Sequence, residues 1–228
     1  SIIIQTNHLK KNFKYEIDHQ KKIEILTVLI LSGLVFKEYE ENYEYSLNEL
    51  EKLIETFFDD KGFPLTRSPN DLLNHTKYFL LIKEVIKDAQ KYVPDSLENI
   101  LEKNLECIQQ LTTPANSLPL FNGSVEDDLT NFYNYINHFK ITIKKPKINL
   151  GNIHVLKNKK DVIYFEAGNP PKKNFSSCYQ SGPLSFEYYY DDQKIITNSG
   201  FGVNISKKAR LLSRFTSSQS ALCLNDTS

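Results

Sequence analysis

The hydrophobic period of this chain changes once, near Lys140, and that change restricts the fold more than any other feature. Before it, apolar residues recur at helical spacing. Leu47, Leu50, Leu53, Ile54, Phe57 and Phe58 form the stripe of an amphipathic helix. Asp59-Asp60-Lys61-Gly62 predicts its end, with Gly62 supplying a left-handed cap. Ser68-Pro69 predicts the next start as N-cap and first helical residue, with Asp71 favouring the N-terminal dipole. Asp95 and Glu98 have capping-box spacing before the stripe Leu97 to Leu111, and a last helix follows Ser124 to Asp127. Ile23–Phe36 is apolar nearly all round, so it predicts a helix covered on several sides.

Beyond Lys140 the runs are short and β-prone: Ile153–Leu156, Val162–Phe165, Leu184–Tyr190 and Lys194–Thr197, with Asp191-Asp192-Gln193 as a hairpin turn. Residues 141–150, with Lys144, Lys145, Pro146 and Lys147, predict a linker. The expectation is therefore a helical part over 1–140, the linker, and a β-rich part over 151–228. Helical hairpins near 45 residues long suggest a layered array or toroid.

Composition excludes several classes. At 228 residues, 40% apolar and 25% charged, the chain is an ordinary globular polypeptide. Its formal net charge of zero gives no long-range field toward nucleic acid. Ile23–Phe36 is shorter than the roughly 20 residues a bilayer crossing needs. No methionine occurs, and Ala221 to Asp226 has the pattern of a strand entering a turn, so the sequence is expected to be an internal piece of a longer protein. Cys107, Cys178 and Cys223 have no C-x-x-C spacing, and Cys107 is expected to pack as a small hydrophobe. His8, His19, His75, His138 and His154 form no metal-binding pair, and each is expected at the surface or as a cap; Asn7-His8 is expected in a solvated loop. There is no phosphate-binding or Ser-hydrolase motif.

Three stretches carry a resemblance. The first is Leu184-Ser185-Phe186-Glu187, followed by Asn198-Ser199-Gly200 and then Arg214-Phe215-Thr216-Ser217-Ser218-Gln219-Ser220. The second is Arg67-Ser68-Pro69, and the third Leu118-Pro119-Leu120-Phe121-Asn122-Gly123. Together they resemble heparinase II/III-like proteins, a polysaccharide lyase family. The resemblance implies an α+β multidomain fold, an α/α toroid followed by an antiparallel β-sandwich, both incomplete here. It also implies a carbon–oxygen lyase that cleaves an acidic, uronate-bearing polysaccharide by β-elimination, located in the cell envelope or periplasm. The alternative is a catalytically degenerate protein that binds glycan or serves a structural role.

Family positions are substituted. Asp71 and Cys178 stand where the resemblance places catalytic groups, and Leu72 stands at a His position. Asp71 at a helix start should have a depressed pKa and be a poor base, while Cys178 has no neighbouring cation to stabilise a thiolate. Gln180, Asn198 and Gln219 stand at the family's zinc positions, where neutral amides replace His and Asp. No metal is expected; the three amides are expected to converge and hydrogen-bond one another. Arg67, Tyr179, Gln180, Asn198 and Gln219 are the candidate substrate contacts. Arg67 is either a ligand for an acidic sugar or a structural tie from the helix start to the β-rich part. Tyr188-Tyr189-Tyr190 should place one ring in the core, and another could stack on sugar. Lys172, Lys173, Lys207, Lys208, Arg210 and Arg214 either line an anionic-glycan groove or are solvated charges.

Overall fold

The computed structural model describes residues 2–144, 150 and 152–221. Helices α1 (Ile2–Asn12), α2 (His19–Val35), α3 (Glu40–Phe57), α4 (Pro69–Asp88), α5 (Asp95–Leu111) and α6 (Thr130–His138) precede strands β1 (Ile153–Lys157), β2 (Asp161–Glu166), β3 (Phe186–Tyr190) and β4 (Gln193–Ile196). A short α7 (Lys207–Leu212) follows the sheet. The chain divides into two compact units, Ser1–Phe58 with Asn74–Glu102, and Asp59–Leu73 with Lys103–Ser228. The predicted order, helices then an antiparallel sheet, is the order observed.

In the first unit, α2 is buried along Ile23, Leu26, Leu29 and Ile30, as its all-round apolarity predicts. Asp18 caps it, its side chain accepting the Gln20 N–H at 2.9 Å. Gly33 lets α3 come close: a Cβ there would lie 2.5 Å from the Tyr43 nitrogen. His75 corrects one expectation. It is fully buried and stacks on Phe57 at 4.5 Å, with Phe58 and Phe79 around it. It lies on the apolar stripe of α4, so its ring serves as core. Asn7 and His8 are helical, on α1, not in a loop. Asp95 is the first residue of α5 and accepts the Tyr92 hydroxyl, while Glu98 pairs with Lys83 at 2.9 Å, so the capping box does not form. A polar cleft of about 490 Å³ is lined by Gln20, Glu24, Asn74, Lys77, Tyr78 and Leu81.

In the second unit, Gly62 takes the expected left-handed φ of +81° but does not cap α3, whose C-cap is the extended Phe58; it closes a turn by donating its N–H to the Asp59 carbonyl at 3.0 Å, and Asn104 on α5 donates to its carbonyl at 2.6 Å. Ser68 receives the Asp71 N–H at its Oγ, and α4 begins at Pro69. The sheet is an antiparallel meander in the order β1-β2-β3-β4. Strand alternation buries Val162, Tyr164 and Glu166 on β2 and Glu187 and Tyr189 on β3. Tyr164 and Tyr189 meet edge to face at 5.8 Å, and the Tyr164 hydroxyl donates to the Thr112 carbonyl at 2.9 Å. Tyr189 is thus the core ring of the Tyr triplet, while Tyr190 is exposed. The predicted hairpin turns at Asp191, which takes φ +56°. Strand β3 starts at Phe186, because Leu184 sits in the left-handed region at φ +59°. The strand predicted after Ala221 and residues 145–149 of the predicted linker lie outside the described residues. Among the described residues, no helix is long and apolar enough to cross a membrane.

Candidate functional site

The turn Leu118–Gly123 brings donors to three buried acceptors. Its Leu120 N–H donates to Glu187 Oε1 at 3.2 Å, the Asn122 amide to Glu166 Oε2 at 3.1 Å, and the Gly123 N–H to Gln180 Oε1 at 3.0 Å. Asn122 and Gly123 both take positive φ, 46° and 88°, which turns these donors inward. A Cβ on Gly123 would come within 2.6 Å of the Cys178 Cβ, so residues 178–180 seat directly on the turn.

Arg67 occupies the centre. Its backbone is left-handed, φ 61°, and its side chain is buried against the Glu166 carboxylate. The guanidinium also donates to the Asn169 carbonyl at 3.2 Å. Glu166 Oε1 accepts the Gly168 N–H at 3.0 Å, and the Asn122 amide bonds the Arg67 carbonyl as well. Gly168 cannot be replaced without moving this group, since a Cβ would fall 1.8 Å from Arg67 Nη1. Burial pushes the Glu166 carboxyl upward, and the Arg67 charge with the Gly168 and Asn122 donors opposes it. Of the two roles predicted for Arg67, the structure contains the tie: it fastens the segment before α4 to β2.

Glu187 is a second buried carboxylate, with no cation bonded to it among the described hydrogen bonds. Besides Leu120, it accepts the Thr197 hydroxyl at 3.0 Å, the Asn198 N–H at 3.1 Å and the Tyr189 hydroxyl at 3.1 Å. Its carboxyl is raised by burial, against these donors. The sequence reading missed both carboxylates as site residues. The signal was available: Glu166 shares the inward parity of Val162 and Tyr164, and Glu187 that of Tyr189.

Gln180 and Gln219 converge, but on a backbone atom instead of each other. Both donate Nε2 to the Ser213 carbonyl, each at 2.7 Å, and Gln180 also donates to the Gly200 carbonyl at 2.9 Å. Asn198 stands apart from that pair. Its Oδ1 accepts the Ser220 N–H at 2.9 Å and the Ser220 hydroxyl at 3.1 Å, and its amide points to Glu187 at 3.5 Å. The expected amide-to-amide network is corrected accordingly. Main-chain groups make better partners here because the segment 198–220 folds back on itself and needs its carbonyls satisfied.

Arg67, Gln180 and Asn198 are therefore buried, whereas Tyr179 and Gln219 are half-buried. Tyr179 lies beside the ion pair: burial and the Glu166 charge raise its phenol, while Arg67 lowers it. Asp71 and Cys178 are half-buried, and the Ser177 hydroxyl approaches the Cys178 sulfur at 3.8 Å. Leu72 is core. Lys172, Lys173, Lys207, Lys208, Arg210 and Arg214 are exposed.

Comparison with known proteins gives a consistent fold. Residues 144–228 match the family described as "Heparinase II/III-like, C-terminal". No curated protein matches the chain in sequence at a significant level. Among solved structures, heparinase III aligns with TM-score 0.78 and 18% identity, over 93% of this chain and 40% of its own. A heparan sulfate lyase mutant from Pedobacter heparinus aligns with TM-score 0.70 and 16% identity, over 86% and 35% respectively. The chain thus spans about two fifths or less of the length of these matched structures. Residues 144–228 thus match the C-terminal heparinase II/III-like family model, and the chain shares the fold of these solved structures.

Proposed function

We propose that the protein containing this chain binds an acidic, uronate-bearing polysaccharide on its lyase-type fold, and that the described residues hold the fold instead of carrying out β-elimination. The carrying observation is the buried Arg67–Glu166 pair. β-Elimination needs a base for the proton beside the uronate carboxylate, an acid for the leaving oxygen, and donors that neutralise the carboxylate as charge develops. Arg67 is the cation best placed by sequence for that neutralisation, and Glu166 already takes its charge. Asp71 sits in the first turn of α4, with its N–H bonded to the Ser68 hydroxyl.

The amides at the zinc positions do not fit a zinc ion. Gln180 uses its oxygen on Gly123 and its nitrogen on Gly200 and Ser213, and Asn198 uses its oxygen on Ser220. A neutral amide set offers none of the thiolate, imidazole or carboxylate ligands that zinc sites use. In this reading, hydrogen bonds to Ser213 and Ser220 take over the tie that a metal would make. A cell-envelope or periplasmic location accompanies the proposal, as does the division into parts 1–140 and 151–228 about a linker.

The test is incubation of the full-length protein with uronate polysaccharides, following ultraviolet absorbance of the unsaturated product and glycan binding in parallel. Binding without product is expected; product formation refutes the non-catalytic part. Tyr179 carries a second reading on its position: its half-buried phenol lies beside the Arg67–Glu166 pair, and a tyrosine hydroxyl can serve as the acid for a leaving oxygen. If product appears, Tyr179→Phe should abolish it while binding persists.

A further inference from the structure

The sequence holds one Asn-Gly pair, Asn122-Gly123, and it lies in the turn that meets the buried acceptors. This dipeptide is the one most prone to lose its side-chain amide, because glycine has no Cβ to hinder its own nitrogen. The reaction is internal to the chain. The Gly123 nitrogen attacks Asn122 Cγ, the new N–Cγ bond replaces Cγ–Nδ2, and the Gly123 proton leaves with the amide as ammonia. Water then opens the cyclic imide at one carbonyl or the other, giving aspartate or isoaspartate.

The fold holds both reacting groups. Gly123 N–H, the nucleophile, donates to Gln180 Oε1 at 3.0 Å. That neutral oxygen is too weak a base to take the proton, and it shields the nitrogen from hydroxide. The leaving amide donates to Glu166 Oε2 at 3.1 Å and to the Arg67 carbonyl at 3.2 Å, so Asn122 cannot rotate toward the nitrogen without giving up two bonds. Gln180 is fixed in turn, since its Nε2 donates to the Gly200 carbonyl at 2.9 Å and the Ser213 carbonyl at 2.7 Å. Arg67, Asn122, Gly123, Glu166 and Gln180 are all buried.

We propose that Asn122-Gly123 is a latent deamidation site and that Gln180 is the residue that keeps it closed. Conversion to aspartate would exchange a donor amide for a carboxylate facing Glu166. Two buried anions would then share Arg67, and the tie between the segment before α4 and β2 would loosen. Isoaspartate would also lengthen the main chain by one carbon in the turn that supplies the Leu120 and Gly123 donors. Gln180 thereby protects covalent structure, a role that stands independently of glycan binding.

The experiment is incubation of the full chain in mildly alkaline buffer, with peptide mapping by mass spectrometry and enzymatic methylation of isoaspartate as a second readout. The folded wild type should keep Asn122 intact while the urea-unfolded chain converts. Gln180→Leu, which removes the acceptor, should raise the rate in the folded protein at least about tenfold. Gly33→Ala strains the first unit against the Tyr43 nitrogen without touching this turn, and should leave the rate as in the wild type. Should Gln180→Leu fail to fold, hydrogen exchange of the wild type decides. Asn122 conversion across low urea concentrations should rise in parallel with exchange of the Gly123 N–H. Conversion of the folded wild type at the unfolded rate overturns the proposal. So does a Gln180→Leu rate equal to that of the wild type or of Gly33→Ala, or conversion that ignores Gly123 exchange.

Discussion

Replacing Arg67 by Met removes the cation from a carboxylate that is almost fully enclosed. The side chains are 9% and 4% exposed, so solvent cannot take over the lost interaction. Glu166 would keep only the Gly168 N–H and the Asn122 amide, two neutral donors. Breaking one side of such a buried pair costs about 3–5 kcal/mol, against at most about 1 kcal/mol for an exposed pair. With a urea slope of about 2 kcal/mol per molar, the midpoint should fall by about 1.5–2.5 M. Circular dichroism follows this readily. Adding Glu166→Leu to Arg67→Met should recover about 2 kcal/mol or more, because no buried charge is then left alone. Two results would refute the reasoning: a loss below about 1 kcal/mol for Arg67→Met, or strict additivity in the double variant. A small loss accompanied by weaker glycan binding would make Arg67 a ligand contact after all.

Glu187 gives a pH prediction. Its folded carboxyl is raised above the ordinary 4.5, so the folded protein holds that proton to higher pH than the unfolded chain does. The resulting stability is complete below about pH 4.5 and declines as pH rises through the folded value; Glu187→Gln should flatten this part of a melting-temperature profile. Gln180→Glu would set a carboxylate oxygen against the Gly200 and Ser213 carbonyls, so denaturation should show a loss of about 3 kcal/mol. Gln219→Ala should cost only about 1 kcal/mol, since Gln180 still serves the Ser213 carbonyl. Gly33→Ala would push against the Tyr43 backbone and should lower stability by about 1–3 kcal/mol in a thermal melt.

The legible parts of the sequence were those set by local period and local turn chemistry. The helical stripes, the Ser68-Pro69 start and the Asp191 turn all depend on residues within a few positions of one another, and each appears where expected. The site was harder because its bonds join distant segments. Arg67 meets Glu166, and Gln180 meets Gly123, Gly200 and Ser213, at separations that no periodicity encodes. Resemblance identified which letters were unusual, but an amide gives no sign of whether it will choose another amide or a main-chain carbonyl. His75 shows the opposite limit. A titratable residue on an apolar stripe looked like a surface group by type and was core by position.

Gly168 has a consequence for descent. The guanidinium occupies the space where any larger residue would place its first side-chain carbon. Positions 67, 166 and 168 are consequently not free to drift one at a time. A relative with an ordinary side chain at 168 should also have surrendered the arginine, and one without the arginine should have surrendered the glutamate. Those three columns, together with Asn122, should change as a block in any set of homologues, and an alignment of them would date the loss of one as the loss of all.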